Sequence, residues 1–96
     1  MPVTTSSKLK RRQSVVTERL PDGSGLLFDP ETAVAYPISE SAVRIWELCD
    51  GVRDVNAIVD DLESRYVVDR DTLEADSLKL LADLIERRLA DEVPRG

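Results

Sequence analysis

The 96-residue chain has no histidine, one cysteine, one tryptophan, two tyrosines and one phenylalanine. Without histidine it lacks the base of a Ser-His or Cys-His pair and the commonest nitrogen ligand for zinc or copper. The lone Cys49 makes no internal disulfide and no CxxC pair to hold zinc or an iron–sulfur cluster, and it is compatible with a reducing cytoplasm. The four glycines, Gly23, Gly25, Gly51 and Gly96, form neither a dinucleotide fingerprint nor a phosphate loop. No apolar run approaches the roughly 20 residues that span a bilayer, and the opening MPVTTSSKLKRRQS lacks the apolar middle of a secretory signal. These absences predict no catalysis, no metal, no cofactor and no membrane insertion, and they leave a cytoplasmic binding module.

What is present is 42% hydrophobic and 33% charged, the composition of one soluble globular domain. Charge is unevenly spread. Lys8, Lys10, Arg11 and Arg12 fall within the first 14 residues, so the remainder holds 9 basic against 19 acidic residues, a net charge of −10. Residues 1–14, rich in Ser, Thr and basic side chains without apolar periodicity, read as a disordered basic tail, and residues 15–93 as the domain. With 19 acidic residues, close carboxylate pairs arise by chance, so none is assigned as an acid/base dyad, and Asp60, Asp61 and Glu63 read as a solvated face rather than a metal site.

Three short strands open the domain: 15–20, 25–29 and 33–38. Pro21-Asp22-Gly23 and Asp29-Pro30-Glu31-Thr32 supply the turns, which makes an antiparallel meander. In the third strand Val34, Tyr36 and Ile38 alternate onto one face. A helix follows, capped by Ser39 or Ser41, with Ala42, Ile45, Trp46 and Cys49 as its buried stripe and Asp50-Gly51 as its end. Cys49 on that stripe reads as a core residue, not a reactive thiol. Asp54 caps a second helix carrying Val55, Ile58, Val59, Leu62 and Tyr66 on one face. Asp69 or Asp71 caps a third, expected over about residues 72–91.

That third helix is too apolar for one buried stripe. Leu78, Leu81, Ile85 and Leu89 form the first stripe; at about 100° per residue Leu73, Leu80 and Leu84 fall on a second flank. This flank either packs against sheet or dimer mate, or walls a groove rimmed by Asp76, Asp83 and Arg87.

From Leu26 to Leu62, LLFDPETAVAYPISESAVRIWELCDGVRDVNAIVDDL resembles the PqqD-like family of recognition elements for ribosomally made, post-translationally modified peptides. The ordered features are a strand running into a hydroxyl-capped helix, then Trp46, the Asp50-Gly51 turn and a helix opening Val55-x-x-Ile58. A later Asp and leucine-rich stretch stand at Asp76 to Leu84. The resemblance implies an α+β fold, a winged helix-turn-helix with a three-stranded antiparallel meander followed by three α-helices. It also implies a protein without catalytic activity that binds the leader of a precursor peptide and presents it to a modifying enzyme, often a radical S-adenosylmethionine enzyme. The leader docks as an added strand beside the third strand. Carried onto this chain, the peptide-binding residues are Ala33, Val34, Ala35, Tyr36 and Pro37 on the strand, with Leu73, Asp76, Leu80, Asp83, Leu84 and Arg87 on the helix.

Two other classes compete: a DNA-binding winged helix, and an assembly subunit holding a fixed protein partner in the same groove. Between Thr72 and Asp91 the basic Lys79, Arg87 and Arg88 face Glu74, Asp76, Asp83, Glu86 and Asp91, a poor surface for phosphates. No nucleic-acid partner is therefore expected. The identity of the precursor and the oligomeric state stay open at this level.

Overall fold

The computed structural model describes residues 3–94. The first two residues of the expected tail, and residues 95 and 96 with the terminal Gly96, lie outside that range. In chain order the elements are β1 (Lys8–Arg11), β2 (Val16–Arg19), β3 (Gly25–Asp29), β4 (Val34–Ile38), α1 (Glu40–Leu48), β5 (Asp50–Asp54), α2 (Val55–Arg65), α3 (Arg70–Glu86) and β6 (Ala90–Glu92).

The meander forms as expected, in the order β2-β3-β4 and antiparallel throughout, and three helices follow. Winged helix-turn-helix describes this arrangement by analogy. Register places Thr17, Leu27 and Tyr36 in one cross-strand row, of which Leu27 is buried, Tyr36 half-buried and Thr17 exposed; Val16, Phe28 and Ala35 form an exposed row behind it. Gly25 is fixed by a close approach, since a Cβ there would stand 2.9 Å from Val43 Cγ2 and 3.1 Å from the Glu18 carbonyl oxygen.

Each helix starts at a side-chain cap that removes an orphan amide. Ala42 N–H donates to Ser39 Oγ at 3.2 Å, Ala57 N–H to Asp54 Oδ1 at 2.9 Å and Thr72 N–H to Asp69 Oδ2 at 3.3 Å. Trp46 is 2% exposed, and its indole N–H donates to Thr17 Oγ1 at 2.8 Å, tying α1 to the meander. An indole buries roughly 150–250 Å², on the order of 4–6 kcal/mol at about 25 cal/mol per Å² before chain entropy is subtracted. Leu9, Leu27, Ile58, Leu62, Leu81 and Leu89 complete the interior around it. Cys49 is buried there; desolvation pushes its thiol up to about 12, which leaves it un-ionised and inert. Arg44 joins α1 to α2 through two bonds to Asp61, at 3.0 and 2.9 Å, and this pairing holds the Asp61 carboxyl below its ordinary range, with a smaller contribution from Arg65.

The expected disordered tail is corrected in part: Lys8–Arg11 is the middle strand of a second antiparallel sheet, β5-β1-β6. Leu9 is fully buried, while Lys8 stands opposite Asp54, and Lys10 opposite both Asp50 and Asp91. Opposite charges directly across a ladder each contribute about 0.2–1 kcal/mol. Arg11 donates through Nη1 to the carbonyls of Trp46 and Glu47, closing the C-terminus of α1, and Arg12 grips Asp91 with two bonds of 3.1 Å. Arg11 and Arg12 are therefore structural ties.

Two further boundaries move. Gly51 has φ 81° inside β5, where the ladder shifts register between Lys8 and Lys10, so it serves a bulge and not the helix end. The third helix stops at Glu86, because Arg88 takes φ 60° and turns the chain so that Ala90–Glu92 pairs with β1.

Candidate functional site

β4 is the outer strand of the meander, so among the described residues one side of its backbone has no strand partner. Pro37 sets which side. It stands opposite Leu26, and having no N–H it occupies a position where that donor would point away from β3. By alternation Ala35 shares the open side, while Val34 and Tyr36 bond toward β3. Ala33 does not offer its amide: at φ 58° it closes the β3–β4 turn, donating to the Asp29 carbonyl at 2.8 Å. The turn is stiffened by Asp29 Oδ1, which accepts from Glu31 N–H at 2.9 Å.

On α3 the second flank divides. Leu84 is 3% exposed and belongs to the core, which corrects its assignment to a groove wall; Leu73 and Leu80 are half-buried at the core margin. Leu80, with Asp76, Lys79, Ala82, Asp83 and Glu86, lines a shallow concavity of about 580 Å³ along the exposed side of α3. Strand and helix meet at one point. The Arg87 guanidinium lies over the Tyr36 ring, 5.0 Å from its centroid, and Arg87 Nε donates to Asp83 Oδ2 at 3.0 Å. Asp83, and to a lesser degree Tyr36, hold this guanidinium even more firmly protonated than usual. Of the residues read from the sequence, Tyr36, Asp83 and Arg87 are brought into contact, and Ala35 and Pro37 are exposed beside them.

A cavity of about 370 Å³ opens where β4 gives way to α1, between the first turns of α1, the end of α2 and the first half of α3. Leu73 and Asp76 line it, as do Tyr66, Val68 and Ser77, which sequence reasoning did not assign to a site. Ser77 is fully buried, and its hydroxyl is the one buried side-chain polar atom without a hydrogen-bond partner among the described residues. The signal was legible: a serine four residues from both Leu73 and Leu81 occupies a core position. A third opening of about 330 Å³, beside Trp46 and walled by Lys10, Arg11 and Arg12, lies at the second sheet and has no part in the β4 edge. No group of side chains suited to a metal occurs among the described residues, and no helix there is long and apolar enough to cross a membrane.

An open sheet edge, with one aromatic on it and one guanidinium from the end of α3 over that ring, is an arrangement to which an extended segment could add as a strand. Comparison with known proteins gives the family. The model of coenzyme PQQ synthesis protein D (PqqD) matches residues 25–90, and the chain belongs to that family. It is 40% identical over 67 residues to a PqqA binding protein of Rhodopseudomonas palustris strain TIE-1, and 36% identical over 67 residues to that of strain BisB5. Each match covers 70% of this chain and 64% of the relative, so the matched part spans slightly under two thirds of these proteins. Among solved structures it is similar to the PqqD truncation of Methylobacterium extorquens PqqCD, described as a functional, stand-alone recognition element for ribosomally synthesised and modified peptides. That match has a TM-score of 0.78 and 26% identity, covering 93% of this chain and 94% of that one. It is also similar to TbiB1 in complex with the TbiA(beta) leader peptide, with a TM-score of 0.76 and 27% identity, covering 90% and 99%. Lasso peptide synthetase B1 complexed with its leader peptide, at 21% identity and a TM-score of 0.74, shares the fold. The two Rhodopseudomonas relatives and the PqqD truncation are described as binding or recognition proteins.

Proposed function

We propose that this chain binds the leader of a ribosomally made precursor peptide by strand addition at β4 and presents it to a modifying enzyme, a radical S-adenosylmethionine enzyme, in the cytoplasm. It performs no chemistry itself. The observation that carries this reading is the open edge of β4, where Tyr36, next to Ala35, meets Arg87 at the end of α3. Main-chain pairing holds an extended peptide of any sequence, and the side chains of α3 and Tyr36 choose among peptides. Membership of the PqqD family and similarity to two recognition elements above 25% identity support it. A DNA-binding role is disfavoured, since between Arg70 and Glu86 α3 carries Arg70 and Lys79 against Asp71, Glu74, Asp76, Asp83 and Glu86.

The test is titration of the protein with the PqqA peptide and with the product of any short precursor-like reading frame beside its gene, followed by amide NMR. Saturable binding with the largest shifts at residues 34–38 and on α3 is expected. Binding that perturbs the β5-β1-β6 sheet instead would discard the β4 site.

A further inference from the structure

The contact between Arg87 and Tyr36 says more about the peptide than an open edge does. A strand added to β4 continues the Thr17–Leu27–Tyr36 row by one residue, whose Cβ stands about 4.5–5.5 Å from that of Tyr36. Its side chain then lies beside the ring that Arg87 covers. A guanidinium presents five N–H donors in a planar fork matched to a carboxylate, and Asp83 takes one of them. The fork is also well placed by the backbone: Arg87 caps α3, with its own N–H bonded to the Asp83 and Ile85 carbonyls, and Arg88 turns the chain away directly after it.

Resting on the strand-addition reading, we propose that Arg87 is a specificity-determining residue, which selects a leader with an acidic side chain opposite Tyr36 and so fixes the register of the added strand. Asp83 is the internal stand-in for that carboxylate and is displaced by it. Elsewhere along the flank Asp76 and Glu86 repel an acidic side chain, and Lys79 stands between Asp76 and Asp83, one turn to either side, so its charge is offset. An acidic residue is therefore accepted well at one register and poorly at the others. Selection by a planar fork also predicts that lysine is an inferior replacement, because an ammonium makes no bidentate pair and stacks less well on a ring.

The experiment uses the full chain and an array of 12-residue segments tiling the PqqA peptide and the product of any short precursor-like reading frame beside the gene, each position set in turn to Glu, Gln, Lys or Leu. For the wild-type protein one position should favour Glu over Gln by about tenfold, the range of a charge-assisted hydrogen-bonded pair. Arg87→Gln should abolish that preference, Arg87→Lys should keep only part of it, and Arg87→Glu should transfer the preference to Lys at the same position. Asp83→Asn should tighten the Glu peptides several-fold by removing the competing carboxylate, an effect a merely structural ion pair would not give. Circular dichroism checks that each variant is folded. Binding without a Glu preference, or with one that survives Arg87→Gln, overturns the role of Arg87 and leaves the proposed function standing. No binding by any segment overturns both.

Discussion

Leu80 and Leu84 sit one turn apart on α3, yet only one of them is interior. At about 100° per residue Leu84 lies about 60° from the fully buried Leu81 and Leu80 about 100° from it, enough to move a side chain from core to margin. Leu84→Ala should therefore cost about 2–5 kcal/mol, in the range of core truncations, and Leu80→Ala distinctly less. Urea melts of both variants read this directly, and equal losses would mean the two share one environment. Ser77 gives the opposite sign. Its hydroxyl is buried without a partner, a state that costs about 1–3 kcal/mol. Ser77→Ala should raise the unfolding free energy by about 1 kcal/mol, and a loss of similar size would mean that the hydroxyl is satisfied in solution.

Among the elements, those with local signals were legible in the sequence. The cap at Asp54, the caps narrowed to Ser39 or Ser41 and to Asp69 or Asp71, the turn at Pro21-Asp22-Gly23 and the stripe around Trp46 all lie within a few residues of what they specify; the structure uses Ser39 and Asp69. The second sheet was not legible, because β1 offers one buried apolar residue, Leu9, and its partners are more than 35 residues away in sequence. The end of α3 was hidden for a different reason: Arg88 takes the left-handed conformation without glycine or asparagine to announce it. Of the site, the edge strand and rim charges were legible; the division of the helix flank and the commitment of the Ala33 amide needed coordinates. β4 offers the sharpest test. Ala35→Pro removes an outward donor, so it should leave the thermal melt nearly unchanged and weaken peptide binding by about 0.5–1.5 kcal/mol or more with steric cost. Tyr36→Pro removes a ladder donor toward β3 and should destabilise the fold itself. Tolerance of Tyr36→Pro alongside unfolding by Ala35→Pro would put the open edge on the other side.

At the scale of the whole molecule the two sheets do different work. The meander carries the candidate site, and β5-β1-β6 gathers the start of the chain, the α1–α2 connection and the stretch after α3 around Leu9. Because β1 is the middle strand, removing it strips β5 and β6 of the strand that joins them, along with the Arg11 cap on α1 and the Arg12–Asp91 pair. A small domain holds a net stability of about 5–15 kcal/mol, and Leu9→Ala alone should remove about 2–5 of these. With about 4–8 °C lost per kcal/mol in a domain of this size, Leu9→Ala should lower the Tm by at least about 8 °C. Deleting residues 1–13 should abolish cooperative melting, whereas Lys8→Ala, which gives up one exposed cross-strand partner, should shift the Tm by no more than a few degrees. Calorimetry on the three variants decides it. If the deletion melts like the full chain, residues 8–11 are dispensable and the second sheet contributes nothing to the stability of the half that carries β4.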